Sequence, residues 1–515
     1  MKHLSLLLSS LALVAMPGRA ADPPDFAWVR SVPITAYHVA VAVTGESVVF
    51  GFLSSDGVLG TNTLSRTNGL LVLTKFDRNG NVLWTQQVGN TNLAEVIDSS
   101  GVALDRFNNI YVSGWASGGG TNLLLRFGSV TTLISTNRSY DLFVAKYDAA
   151  GNLLWARGTG GIDGGYVAPL VVDNNSNVVV SSYGTTNTFL ILKLDQGGNE
   201  LWRLKPTAGD TSPPRLAVDK ANNIYLSSQP YRSVTLDGIL ITNSGGGGSF
   251  VAKVDPAGHL VWVRLSGGNP AGGQHVDGNE IALDSATNVV VVGESSATNA
   301  FGFQLNTNPV SRPFILQLTP TGSNVWLRYG SMSNGSGGAV SVTIDAADEI
   351  YVGGLFTGTM VLSNVTLNPN GSGELFFTKY SPGGEQRWAF QAGGPTSQCC
   401  QNVDGLAAGP DGVLAVGRYT SIPAKFGSLT VTSPTNGFFI GLLPYPTPNL
   451  TMVASNSALQ FRWPTFPPNF LLESTTDLAA APWTTNGISV ATNSGSNFVT
   501  FPLNGQQQFF RLRRP

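Results

Sequence analysis

Short apolar runs separated by polar turns recur along most of the chain. Between Leu142 and Gly158, two such runs flank Asp148-Ala149-Ala150-Gly151-Asn152, a pattern that predicts a β-hairpin with a Gly/Asn turn. The phrase returns at Phe76–Trp84, Leu194–Trp202, Val254–Trp262, Leu318–Trp326 and Tyr380–Trp388. In each copy an Asp, Thr or Ser stands seven residues before the tryptophan. Three residues after that polar position comes a glycine: Gly80, Gly151, Gly198, Gly258, Gly322 or Gly384. A fixed glycine predicts a positive φ, and a fixed turn length sets the strand register, so every tryptophan is expected on the same side of its sheet.

A second phrase precedes each hairpin, most clearly Val102-Ala103-Leu104-Asp105-Arg106-Phe107-Asn108-Asn109-Ile110-Tyr111-Val112-Ser113-Gly114, with near-copies from Leu170, Leu216, Ile281, Val342 and Leu406 and a degraded one from Val39 to Gly51. Each reads as strand, polar turn, strand rich in Val, Ile and Tyr. The repeating unit is therefore four strands, and repetition at this period marks a solenoid, propeller or array. The phrases number seven, and so do the tryptophans in the outer-strand context: Trp28, Trp84, Trp155, Trp202, Trp262, Trp326 and Trp388. Yet the chain opens with an orphan fourth strand, Phe26–Arg30, and its last unit, ending at Phe438–Leu443, lacks one. A ring closed by that first strand accounts for the offset. The expected fold is all-β, a seven-bladed β-propeller over residues 21–443, with the repeat tryptophans packed between blades. Extra residues between second and third strands, as at Phe127-Gly128-Ser129-Val130 and Phe426-Gly427-Ser428-Leu429, are expected to be loops on one face, where function varies.

The phrases Phe143-Val144-Ala145-Lys146-Tyr147-Asp148 and Asn109-Ile110-Tyr111-Val112-Ser113-Gly114 resemble the SBBP-type β-propeller repeats of bacterial secreted and surface proteins. The resemblance extends over about residues 26–443 and implies a fold, not an activity. Pro444-Tyr445-Pro446-Thr447-Pro448 then interrupts the pattern as a stiff linker over 444–449. Residues 450–515 carry short strands at other spacings, expected to form a small β-sandwich that resembles the fibronectin-like modules ending many secreted proteins. Arg511, Arg513 and Arg514 read either as a solvated strand face or as a surface-attachment signal.

Composition narrows the setting. Only 12% of residues are charged while glycine numbers 61, against about 25% charged in an average soluble domain. Lys2 and His3 precede an apolar run from Leu4 to Met16, followed by Pro17-Gly18-Arg19-Ala20; residues 1–20 are therefore expected to be a secretory signal peptide. The run is too short to span a bilayer, and no later stretch looks membrane-spanning. The location expected is secreted or cell-surface. Formal net charge is −2, with no basic face to favour nucleic acid. The two cysteines are the adjacent Cys399 and Cys400, read either as plain loop thiols or as a strained vicinal disulfide with a binding or redox role.

Catalytic groups are scarce. Beyond the leader the histidines are His38, His259 and His275. His259 occupies an ordinary turn position, and His275 lies beside Asp277 as a lone general-base or ligand candidate. No nucleophile elbow, phosphate loop or His-Glu-x-x-His occurs. Asp173-Asn174-Asn175-Ser176-Asn177 mimics a calcium loop but has Val178 where glycine is needed and Gly184 where a bidentate Glu belongs. No metal or cofactor is expected. A repeated set remains: Asp98, Asp163, Asp210, Asp277 and Asp404, each a few residues before an inner strand. These acids either cap turns between blades or gather at one mouth of the channel as a polar ring for a cation or sugar hydroxyls. No copy of the repeat looks to have gained a carboxylate pair or a histidine cluster. Two functions stay open: a secreted non-catalytic binding or scaffold protein for a glycan or cell-surface protein, and a carbohydrate-active hydrolase or lyase on the same scaffold.

Overall fold

The computed structural model describes residues 23–513 apart from 91–96, 118–121, 136–139, 159–168, 184–188, 207–210, 231–232, 242–247, 268–274, 305–309, 396–400, 421, 433–436 and short stretches within 455–508. The signal-peptide reading, the cysteine pair, Asp163, Asp210 and Arg514 lie outside the described residues.

Every regular element among the described residues is a β-strand. Among the described residues the four-strand phrase forms seven antiparallel sheets, six of them with all four strands in chain order. The clearest joins Ile97–Leu104, Ile110–Ser117, Tyr140–Tyr147 and Leu153–Gly158 in that order. The first strands of successive sheets touch one another in chain order, and that of the last sheet, Asn402–Ala408, touches that of the first, Ile34–Val41. The last sheet takes its fourth strand from the chain's beginning: Trp28–Val32 pairs antiparallel with Gly437–Pro444, placing Trp28 opposite Leu442 and Arg30 opposite Ile440. The orphan strand thus sits where the permuted repeat requires. At the same seam Arg78 clamps Asp411 through two hydrogen bonds of 2.7 Å, joining the first sheet's outer hairpin to the last sheet's inner turn.

Each outer hairpin obeys one local rule. The Asp148 carboxylate accepts the backbone N–H groups of Ala150 and Asn152, both at 2.9 Å, and the chain reverses through Gly151 at φ 89°. The other hairpin glycines lie between φ 75° and 96°. Conformation is only half of the constraint. A Cβ on these glycines would stand 2.7–3.1 Å from the tryptophan of the preceding sheet, Trp28 on Gly80 and Trp326 on Gly384 being the tightest. For Trp28, Trp155, Trp202, Trp262 and Trp326 the indole N–H donates to a backbone carbonyl of that turn, as from Trp155 to Gln196 at 2.8 Å and from Trp202 to Pro256 at 2.9 Å. Trp388 has no such hairpin ahead of it. It enters an apolar cluster with Phe26 and Tyr445 instead, edge-on to Tyr351 at 6.0 Å.

The inner turns repeat a second rule. Asp105, Asp173, Asp219, Asp284 and Asp345 are all buried, and each accepts the N–H groups two and four residues on. A third-strand lysine meets three of them, at 2.9 Å for Lys193 and Asp173. The calcium-like stretch is one of these turns, with its carboxylate already engaged.

The inserts between second and third strands are not free loops. Several form small hairpins that bury one set of apolar residues, including Phe127, Leu236 and Phe426, and leave others such as Val130 and Leu240 exposed. Leu123–Phe127 pairs with the outer strand Val82–Asn90 of the preceding sheet, which covers an edge that would otherwise offer unpaired N–H and C=O groups. Burial and edge protection make these segments structural, correcting the expectation that they are variable display loops.

Beyond residue 450, Thr451–Ala454, Ala458–Pro464, Ser496–Pro502 and Ala491–Asn493 form one sheet, while Leu471–Thr475 and Phe509–Arg513 form another. Phe461, Trp463, Leu472 and Val499 share a core between them. Arg511 and Arg513 both pair at 2.8 Å with the buried Glu473, so part of this basic run balances an internal charge.

Truncating Trp326, only 7% exposed, is expected to cost about 3–5 kcal/mol as a large core deletion. Urea unfolding of Trp326→Ala measures this. A loss below about 1 kcal/mol would mean that the tryptophan-on-glycine contact does not bind successive sheets together.

Candidate functional site

A cavity of about 340 Å³ opens among the first strands, lined by residues from six of the seven sheets of the four-strand phrase. Its construction is repetitive. In the first strands of five sheets the register slips by a residue or two: at Tyr37-His38, Ser100, Asn279, Val340 and Asp404. Such β-bulges re-aim side chains and commonly sit beside binding sites. Four of these bulges supply cavity-lining residues, joined by Asp98, Arg215, Glu280 and Asn402 on first strands and by Trp115 and Arg418 on second strands.

The electrostatics divide the lining in two. On one side Arg418 holds Asp404 with two bonds of 3.1 Å, and Asn402 donates to the same carboxylate at 2.8 Å. Burial still raises the Asp404 pKa, against these partners. Burial likewise raises Tyr37, reinforced by the nearby charge of Asp98. On the other side stand His38, Arg215 and Glu280. His38 touches the cavity yet lies deep in the molecule; desolvation, aided by Arg215, pushes its pKa down to about 3, so its imidazole is neutral. Burial raises Glu280 while Arg215 opposes the shift. Arg215 itself makes no side-chain hydrogen bond or ion pair with a described residue. Its five N–H donors therefore face the cavity unclaimed by the described protein. Two aromatic rings, Tyr37 and Trp115, complete the wall.

Asp98 and Asp404, two of the five acids read either as turn caps or as a ring at the channel mouth, both line this cavity. They lie within the first strands, not ahead of them, because the bulged strands begin earlier than the apolar pattern suggests. Among the described residues the Asp98 carboxylate accepts the adjacent Ser99 N–H, at 2.8 Å, and burial pushes its pKa up to about 6. Asp277 is not among the cavity-lining residues. It sits with His275 and Glu294, the three offering ligand atoms within 4.8 Å of one another. One copy of the repeat has thus gained a histidine and a carboxylate pair, contrary to expectation. The legible signal was the residue after the second-strand glycine, which is Trp115, Glu294, Leu355 or Arg418 in different copies. His38, Arg215 and Glu280 carried no repeat signature and were missed as site residues.

Residues 83–120 match the family model of the SBBP β-propeller repeat, so the chain carries repeats of that type. A stretch of 137 residues, 26% of this chain, is 31% identical to an uncharacterized WD repeat-containing protein of Acanthamoeba polyphaga mimivirus, and spans 9% of that protein's length. Among solved structures, an ulvan lyase of a polysaccharide lyase family, bound to a glucuronyl–sulfated rhamnose unit, aligns with 83% of this chain and 96% of its own, at a TM-score of 0.42 and 10% identity. A protein of unknown function from Dyadobacter fermentans aligns with 70% of this chain and 98% of its own, at a TM-score of 0.35 and 12% identity. The chain is thus an all-β protein of propeller-type repeats. No helix among its described residues is long and apolar enough to cross a membrane.

The raised Asp98 pKa sets a pH dependence. Folded Asp98 releases its proton near pH 6, against an ordinary value of 3.8. The folded state therefore holds a proton that the unfolded state has lost between these values. The stabilisation is complete below about pH 4 and is lost as pH rises through about 6. Melting temperatures of the wild type and Asp98→Asn, compared from pH 4 to 7, should show the wild type's relative stability falling across this window. A constant difference would place Asp98 in open solvent.

Proposed function

We infer that this protein is a secreted or cell-surface binding protein, built as a seven-bladed ring followed by a small β-sandwich module, whose central cavity takes an acidic sugar unit of a glycan. The observation that carries this reading is Arg215, a guanidinium with no protein partner among the described residues, in a cavity that also offers carboxylates and two aromatic rings. A guanidinium matches a carboxylate or sulfate with paired hydrogen bonds. Carboxylates such as Asp404 and Asp98 accept from sugar hydroxyls, and aromatic faces cover the apolar side of a sugar ring. The cavity volume falls at the small end of the range for ligand pockets. The export-like leader and the repeat type support an extracellular setting.

Binding of uronate-bearing or sulfated oligosaccharides, measured by calorimetry, tests the reading. Arg215→Gln should weaken it at least tenfold, about 1.4 kcal/mol, while neutral oligosaccharides bind poorly to both proteins. Equal binding of neutral and acidic glycans, or binding only to a surface protein away from the cavity, would overturn it. Asp98 and Glu280, both shifted upward in the cavity, favour a second reading, a carbohydrate-active hydrolase or lyase, because shifted acids are what proton transfer uses. Release of reducing ends or unsaturated uronate, abolished by Glu280→Gln, would establish that alternative.

The module boundary has its own test. The chain ending at residue 446 should fold as a soluble ring with a cooperative unfolding transition; aggregation would make the tail part of the ring's core, through contacts such as Phe466 on Tyr445.

A further inference from the structure

The fifth sheet departs from its siblings at one register position. Two residues before the first-strand bulge, the copies pair Thr35 with Phe52, Asp98 with Trp115, Gly338 with Leu355 and Asn402 with Arg418 across the first and second strands. In the fifth sheet this position pairs Asp277 with Glu294. Like charges directly opposite on neighbouring strands repel. Among the described residues no lysine or arginine forms an ion pair with either carboxylate, and the one basic group at Asp277 is His275, whose Nε2 lies 3.9 Å from its Oδ2. That separation is too long for a hydrogen bond.

The surroundings are arranged around these three side chains. Ser296 Oγ lies 3.1 Å from His275 Nδ1 and accepts the His275 backbone N–H at 3.0 Å. The ring is thereby oriented so that Nε2 turns toward the carboxylates. Ser311 donates its hydroxyl to Glu294 Oε2 at 2.8 Å. On the next first strand the equivalent position is Gly338, where a Cβ would stand 3.0 Å from that same Glu294 oxygen. The glycine leaves room for the carboxylate.

We propose that His275, Asp277 and Glu294 form a binding site for a divalent transition ion, Zn²⁺ or Mn²⁺. One imidazole nitrogen and two carboxylate oxygens suit such ions, whereas Ca²⁺ prefers oxygen donors alone. Donors about 2.0–2.2 Å from an ion stand roughly 3–4 Å from one another, so ligand atoms already within 4.8 Å need to close by only about 1 Å. Ser296 and Ser311 act as outer partners that fix ring and carboxylate orientation. Three protein ligands leave positions open for water or a ligand group. The ion offsets the Asp277–Glu294 repulsion that the repeat elsewhere avoids. This site is distinct from the cavity lining, so it stands or falls independently of the glycan reading.

Calorimetric titration of Zn²⁺ and Mn²⁺ into chelator-treated full-length protein tests the site. One ion per chain is expected to bind, raising the melting temperature. His275→Ala and Glu294→Gln should each weaken binding at least tenfold, and Glu385→Gln, on an exposed side chain, should leave it unchanged; circular dichroism confirms that the variants fold. Absence of uptake, uptake equal in both site variants and wild type, or preference for Ca²⁺ with no effect of His275→Ala would each overturn the proposal.

Discussion

The contact between a tryptophan and the left-handed glycine of the next hairpin holds successive sheets in place. The glycine answers two demands with one residue: its φ suits the turn, and its missing Cβ lets the indole lie against the backbone. In most copies the indole N–H then satisfies a turn carbonyl. Because the contact joins an outer strand to the following repeat, it propagates around the molecule without needing a continuous sheet. Where the chain termini interrupt the series, Phe26, Tyr445 and Trp388 fill the gap with aromatic packing, and Arg78 with Asp411 ties the adjoining turns.

This arrangement separates stability from function along each strand. The outer hairpin and the inner Asp turn carry the repeated residues, and both are saturated with local hydrogen bonds. The beginning of each first strand and the end of each second strand lie at the opposite end of the sheet from the inner turn, and there the residues differ from copy to copy. A bulge at this point turns extra side chains toward the centre, and four copies each contribute different ones: Tyr37 and His38, Ser100, Val340, Asp404. An asymmetric cavity is thus assembled from a nearly symmetric scaffold.

The same division explains what the sequence made legible. Hairpins, tryptophan register, glycine conformation and the pairing of Trp28–Val32 with Gly437–Pro444 were readable because they recur or because their absence at one end matches a surplus at the other. The display-loop reading of the inserts failed because residues such as Phe127 and Phe426 pack against third-strand aromatics, Phe143 at 6.0 Å and Phe439 at 4.7 Å, contacts that the turn residues around them did not signal. Asp98 and Asp404, which line the cavity, drew notice because acids recur near inner strands. Arg215 and Glu280 were not, since each occurs once and meets the other only when first strands distant in sequence converge.

Glu294 shows why single departures matter most in such a chain. Its position follows the second-strand glycine and elsewhere holds Phe52, Trp115, Leu355 or Arg418. An acid there opposite Asp277 carries an electrostatic cost that neither hydrogen bonding to Ser311 nor the His275 ring, 3.9 Å from Asp277, removes. A repeat already stabilised by its tryptophan contacts and turns tolerates that local cost. The stability supplied by those repeated contacts is therefore what offsets the local cost of the carboxylate pair, at a position where a cation would relieve it.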